Sequence, residues 1–189
     1  MPKLWNDTIE AHRAAVRDAV LDAAAALIAE HGLTALTMSR IAGNTGIGRA
    51  TLYKYFPDVE AVLLAWHERQ VHQHLTRLIE VRDNASDPTA RLHAVLHAYA
   101  RMSRHTHDST VAAELHRTEH VNAAHRQLRE LLSEVIADAV QARTVRDDIT
   151  PDELAAFALH ALAAANILTA DGAADRLVTL TIDGMQSTP

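Results

Sequence analysis

Residues 37–60 of the chain read TMSRIAGNTGIGRATLYKYFPDVE, and the spacing within this stretch decides the fold. Thr37 stands where a helix N-cap belongs, and Ile41, Ala42 and Thr45 follow at a period that buries one side of a two-turn helix. Gly46 and Gly48 bracket Ile47, a turn tight enough to swing a second short helix by roughly 90–120°. In that second helix Leu52 and Phe56 lie one turn apart and face inward. Ala50, Tyr53 and Lys54 are therefore directed away from the core, with Arg49, Thr51 and Tyr55 at the margins. Between Leu33 and Pro57 there are three basic residues, Arg40, Arg49 and Lys54, and no Asp or Glu, in a chain of formal net charge −6. Such a local excess attracts phosphate although the global balance repels it.

The turn alone fits equally well a corner in an ordinary all-α protein, with its basic residues merely solvated. Residue order separates the two readings. IAGNTGIGRATLYKYF, followed by the acid-capped DVEAVLLAW, closely resembles the DNA-binding domain of the TetR family of bacterial transcriptional regulators, over roughly residues 10–66. That family's usual form is a Thr-capped helix containing Ile-Ala, an Ala-Gly-Val-Ser turn, and a Thr-Leu-Tyr helix ending in an aromatic-Phe pair. Three positions depart from it. Gly48 replaces a capping Ser or Ala, at a cost of a few tenths of a kcal/mol. Val59 stands where a Lys is common, which removes one phosphate contact, and Ile28 replaces a frequent Phe.

The chemistry of the outward face assigns roles within it. Arg49 suits a base edge, because its fork matches both guanine acceptors, and Ala50 and Thr51 offer methyl contacts to thymine or a close approach. Thr37, Arg40, Tyr53, Lys54 and Tyr55 suit phosphates, which set register without encoding sequence. The resemblance adds Arg13 and Arg17, on the side of the first helix that approaches the backbone.

Beyond the motif, 189 residues with 48% hydrophobic content, six Gly and five Pro point to an all-α chain of about nine helices. A first helix is predicted over Ala11–His31, with Val16, Val20, Leu27 and Ile28 as its apolar stripe and Gly32 at its end. Asp58 caps a long helix from about Val59 to Arg82, in which Val62, Leu63, Trp66 and Leu75 join the two halves. After the loop Asn84–Pro88, a helix carrying Leu92, Leu96 and Tyr99 ends near Ser103. The segment RHTHDS is turn-like, a short helix spans Val111–Arg117, and a long one Asn122–Arg143. Thr150-Pro-Asp-Glu153 is a capping box with proline at the first helical position. The helix behind it runs through Ile167 and Leu168, and Asp171-Gly172 separates it from a last helix, Ala173–Met185. The absence of cysteine excludes disulfides and thiolate metal sites. The opening MPKLWND lacks a secretory apolar run, and the most apolar segment, 154–170, is short of the ~20 residues a bilayer needs. A cytoplasmic protein without membrane association is the expectation.

The resemblance implies two domains, a helix-turn-helix DNA-binding domain over 1–57 and a helical ligand-binding and dimerisation domain over 58–189. It also implies a homodimer on palindromic double-stranded operator DNA, a repressor released by a small-molecule inducer of unknown identity, and no cofactor. Small side chains in the last two helices favour a two-fold four-helix interface, for which Phe157, Ala161, Leu162, Ala165, Leu177 and Leu180 are candidates. Pocket-lining candidates in the middle helices are Trp66, Leu96, Tyr99, Met102, Leu115 and Leu128, each equally a core residue. Ten of the thirteen histidines, His67, His72, His74, His93, His97, His105, His107, His116, His120 and His125, fall in this middle part. The i, i+4 pairs His93/His97 and His116/His120 suit a metal- or pH-responsive regulator, though without Cys or HExxH a metal site is the weaker reading. No local catalytic motif is present, so an enzyme is not expected. A pure protein-interaction module, or an enzyme without DNA binding, would leave the acid-free basic turn unexplained.

Overall fold

A computed structural model describes residues 3–103 and 119–186, with side chains described for 9–103 and 125–186. Among the described residues there are eight α-helices, two short 3-10 turns and no strand. The predicted short helix at 111–117, the RHTHDS turn, Leu115, and the side chains of His105, His107, His116 and His120 lie outside them.

Packing divides the chain into two units, with the change falling at Gln70–Val71 inside a helix. In the first unit α1, Lys3–His31, begins earlier than its periodicity predicts. It ends at Gly32, whose φ of 76° only glycine adopts freely and whose amide closes on the Ile28 carbonyl. A 3-10 turn, Leu33–Ala35, leads to α2, Met38–Thr45. There the Thr37 hydroxyl accepts the Arg40 amide at 3.2 Å, and Gly46 at φ 68° ends the helix in the left-handed conformation. The short α3, Arg49–Tyr55, starts after Gly48, which supplies no side-chain cap. Next comes α4, Val59–Asn84, whose first turn is closed by Asp58 Oδ1 accepting the Ala61 amide at 2.8 Å.

Val20, Leu21, Ala24 and Leu27 of α1 form the core of this unit with Leu36, Met38, Ile41, Leu52, Phe56, Val62 and Ala65. Each large apolar side chain fully buried here contributes about 1.5–3 kcal/mol, so this small core depends on a handful of residues. Val62, Leu63 and Trp66 belong to it, which is why the first part of α4 packs with the N-terminal unit rather than opening a new one.

In the second unit the remainder of α4 is followed by α5, Pro88–Ser103, capped by Asp87 Oδ1 on the Ala90 amide. The next helix, α6, spans Glu119–Gln141. It stops before the predicted Arg143 because Arg143 itself turns left-handed, at φ 58°, and Thr144 closes back on the Ala139 carbonyl. The helix α7, Pro151–Ala163, carries the predicted capping box: Thr150 Oγ accepts the Glu153 amide while Glu153 accepts from the Thr150 amide. It ends sooner than expected, tightening into a 3-10 turn, Ala164–Ile167, so Ile167 and Leu168 are not α-helical. After Gly172, φ 68°, α8 runs Ala173–Met185. The core joins Leu78, Leu92, Val95 and Leu96 to Leu132, Ile136, Leu154, Leu162, Val178 and Met185. Thr181, the buried polar side chain, satisfies itself by donating to the Leu177 carbonyl at 2.8 Å. No helix among the described residues is long and apolar enough to cross a membrane.

Candidate nucleic-acid interface

Helix α3 has one sealed side and one open one. Leu52 is fully buried and Phe56 nearly so, and together they fix the rotation of the helix about its own axis. With that rotation set, Arg49, Ala50, Thr51, Tyr53 and Lys54 are all exposed, Tyr53 by 52%. Tyr55 is half-buried and packs on the core edge. Thr37 and Arg40, at the start of α2, are exposed as well. With the neighbouring cations the half-exposed Tyr53 ring forms a polar, basic-aromatic edge.

The backbone supports this arrangement. The Thr51 and Leu52 amides both close on the Gly48 carbonyl, at 2.9 and 3.0 Å, so the helix begins at Arg49 without a side chain over its first turn. Gly46 and Gly48 have open space where a Cβ would stand, so the left-handed φ at Gly46, and not crowding, is what calls for glycine there.

Side chains around the open face are held from behind. The Arg17 guanidinium of α1 lies over the Phe56 ring, 4.9 Å from its centroid, so a residue placed near the backbone by resemblance also stacks on the end of α3. Arg40 Nη1 reaches the Ala35 carbonyl at 3.4 Å. Arg49 Nη2 donates to Ser39 Oγ, a contact between α2 and α3 that periodicity did not predict. Its only sequence signal is a hydroxyl on the exposed side of the first turn of α2. Away from this face Arg69 of α4 pairs with Asp22 at 2.9 Å and touches the Asp18 carbonyl, bracing α4 against α1.

The other predicted residues fall into distinct surroundings. Leu96 is fully buried in the second unit's core, and Tyr99, Met102 and Leu128 are partly buried against that core. Burial raises the Tyr99 phenol above its ordinary value, and a hydrogen bond with Ser103 opposes the rise. Trp66 lies instead in the first unit's core. Of the interface candidates, Phe157 and Leu180 are 49% and 67% exposed, and Ala161 and Leu177 are half-buried. Leu162 and Ala165 are corrections: both are fully enclosed by their own unit, because they fall on the inner side of the last turns of α7 and the 3-10 turn after it, and neither presents surface to another molecule. His97 of the His93/His97 pair places Nδ1 3.2 Å from Asp175 Oδ1, an ion pair when the imidazole is protonated. Among the described residues no group of three or more metal-ligating side chains converges.

Residues 20–66 match the model of the tetR family of bacterial regulatory proteins, and residues 87–187 match that of the SbtR-like transcriptional regulator C-terminal domain. The transcriptional repressor LfrR of Mycolicibacterium smegmatis is 38% identical over 76 residues, covering 40% of this chain and 39% of the repressor. A fatty acid metabolism regulator of Bacillus subtilis is 23% identical over 117 residues, covering 62% of this chain and 58% of that protein. The matched stretches thus span less than two thirds of either relative. Among solved structures, a TetR/AcrR-family regulator of Thermobifida fusca superposes with a TM-score of 0.77 at 22% identity, over 90% of this chain and 98% of that one.

Proposed function

From the premise that the chain belongs to the tetR family of bacterial transcriptional regulators, we propose that it is a cytoplasmic, sequence-specific repressor that reads a palindromic operator as a homodimer and leaves it on binding a small molecule. The observation that carries this reading is the open face of α3: a helix rotated by Leu52 and Phe56 so that an arginine, a lysine and an unburied tyrosine face outward with no carboxylate between Leu33 and Pro57. An α-helix fits the major groove of B-DNA, and its side chains there meet base edges. Arg49, Ala50 and Thr51 supply base contacts. Thr37, Arg40, Tyr53, Lys54 and Tyr55, with Arg13 and Arg17, hold phosphates.

Two copies are supported by the outer side of α7 and α8. A Cβ on Gly184 would lie 3.8 Å from Phe157 Cζ, so the ring crosses to α8, and Leu180 shares the Gly184 face one turn away. Phe157, Ala161, Leu177 and Leu180 thus make one apolar strip suited to an identical strip about a two-fold axis. For the inducer, Leu96 in the second unit's core and Tyr99, Met102 and Leu128 packed against that core are the candidate contacts, apolar apart from one phenol, which favours a ligand of mostly apolar character with a single hydrogen-bonding group. Release from DNA requires that this ligand bind the DNA-incompetent shape more tightly than the competent one.

Selection of random duplexes on the purified protein tests the reading. The expected product is a two-fold-symmetric consensus with half-sites about one helical turn, ~34 Å, apart or somewhat more. Binding to it should weaken steeply with salt, each neutralised phosphate contributing about −0.9 to the log–log slope. Recovery of no enriched sequence, together with a flat salt response, would refute DNA reading.

A further inference from the structure

The turn between α2 and α3 is tied from the α2 side. There the Thr45 hydroxyl donates to the Ile41 carbonyl at 2.9 Å, and the same oxygen accepts the Ile47 amide at 3.3 Å. One half-buried side chain thus spans the reversal, gripping both the last turn of α2 and the residue that leads toward α3. Ile47 in turn packs against the core that seats Leu52 and Phe56. At the start of α3 no side chain does the same. Gly48 occupies the N-cap position without a side-chain hydrogen bond, and the Thr51 and Leu52 amides close on its carbonyl.

The order of residues agrees with this arrangement. Thr45-Gly46-Ile47-Gly48 stands where the usual form of the family has Ala-Gly-Val-Ser, so the hydroxyl has moved from the last position of the turn to the first. A serine in the last position would cap α3 by accepting the Ala50 or Thr51 amide. Gly48, at φ −59° and ψ 139°, already has an extended backbone suited to such a cap, and nothing lies within 4 Å of where its Cβ would stand. Crowding therefore does not exclude the serine. Two glycines in four residues give the turn unusual backbone freedom, and the bond from Thr45 to Ile47 reaches across the first of them.

We infer that Thr45 is a positioning residue for operator recognition: its hydroxyl ties the end of α2 to the Ile47 amide and so sets the angle at which α3 is presented, a restraint that no cap on α3 supplies. Base contacts demand that angle more strictly than phosphate contacts do, because a side-chain fork must meet two acceptors in one plane, whereas a phosphate offers oxygens in several directions. A loosened turn should therefore reduce discrimination before general affinity. The inference rests on the reading of α3 as the helix that enters DNA.

The test uses the full chain and its Thr45→Ser, Thr45→Val, Thr45→Ala, Gly48→Ser and double Thr45→Ala/Gly48→Ser variants. Each is melted, then titrated against the selected operator and a random duplex. Valine matches threonine in branching and helix propensity, and alanine is the better helix former, so α2 should persist in both. Loss of hydrogen bonding of this kind predicts that Thr45→Val and Thr45→Ala each lower the operator-to-random affinity ratio by about three- to tenfold. Thr45→Ser, which keeps the hydroxyl, should hold the ratio, and adding Gly48→Ser to Thr45→Ala should recover most of it. By NMR the Ile47 amide should exchange with water faster in Thr45→Val and Thr45→Ala than in the parent or Thr45→Ser. An unaltered ratio in Thr45→Val and Thr45→Ala would overturn the inference. So would an equal fall on both duplexes, which would leave Thr45 no part in presenting α3 to bases, and so would a loss that Gly48→Ser does not relieve. Full operator affinity in Ala50→Glu would instead remove the DNA-reading face beneath the inference, so the two failures are distinct.

Discussion

The exposed face of α3 and the exposed face of α7 and α8 are opposites in chemistry. On α3 the outward residues are Arg49, Ala50, Thr51, Tyr53 and Lys54, whereas on the last two helices Phe157 and Leu180 project, with Glu153, His160, Arg176 and Asp183 exposed one turn away from them. Both helices are seated by fully buried leucines, Leu52 in one unit and Leu162 in the other. The inner sides are thus alike and carry little information about function. The outer sides are more telling: α3 carries no acid, as a polyanion requires, and α7 and α8 expose two large apolar side chains that a second apolar surface could cover.

Removing the seat of α3 should have the largest effect. Leu52→Ala leaves a hole in a small core and is expected to cost about 2–5 kcal/mol, read by chemical denaturation. DNA binding should be lost with it. A loss below about 1 kcal/mol would mean that α3 is not held by Leu52 and that the comparison with Leu162 fails.

The apolar strip is probed next. Leu180→Glu places a charge where Leu180 is 67% exposed in the single chain, so the fold should survive. An identical strip opposite would lose about 1.5–3 kcal/mol of apolar burial per copy and face a like charge, so sedimentation should shift from dimer toward monomer. An unchanged dimer would move the interface elsewhere.

Smaller still is the cap that starts α7. Thr150→Ala should destabilise by about 1 kcal/mol near neutral pH. The Glu153 carboxyl is held below its ordinary 4.5, first by the Thr150 hydroxyl and then by the Thr150 amide. Because the folded value is the depressed one, this stabilisation is complete above 4.5 and fades as pH falls through the lower folded value. The difference in melting temperature between parent and Thr150→Ala should therefore narrow in acid. A gap that stays constant on acidification would show that the Glu153 side chain takes no part in the cap.

The two faces also differ in how legible they were in the sequence. The helix-turn-helix was readable because its local chemistry is explicit: Thr37 as a cap, Gly46 at a left-handed position, and Leu52 and Phe56 one turn apart each leave few alternatives. Thr150 and Glu153 were readable for the same reason. Residues whose role is set by contacts across the fold were less so. Leu162 and Ala165 resemble Ala161 in a run of small apolar residues, and which of them faces outward depends on where α7 tightens into a 3-10 turn. Arg143 carries no glycine-like signal for the left-handed φ that ends α6. Trp66 follows the same pattern, joining the first unit's core because the opening turns of α4 pack there. Ser39 sits at an ordinary polar position, and only the placement of α3 against α2 shows that it meets Arg49.

The claim that the outward face of α3 enters DNA is tested most directly by Ala50→Glu. Ala50 is exposed at the second position of the helix, where a carboxylate is tolerated or slightly favoured by the dipole, so the melting temperature should hold. Seated in a groove, the same carboxylate would confront phosphates and base acceptors, and operator affinity should fall by about a hundredfold or more. An Ala50→Glu variant that keeps both its melting temperature and its operator affinity would contradict the account, since the face would then not meet DNA at all.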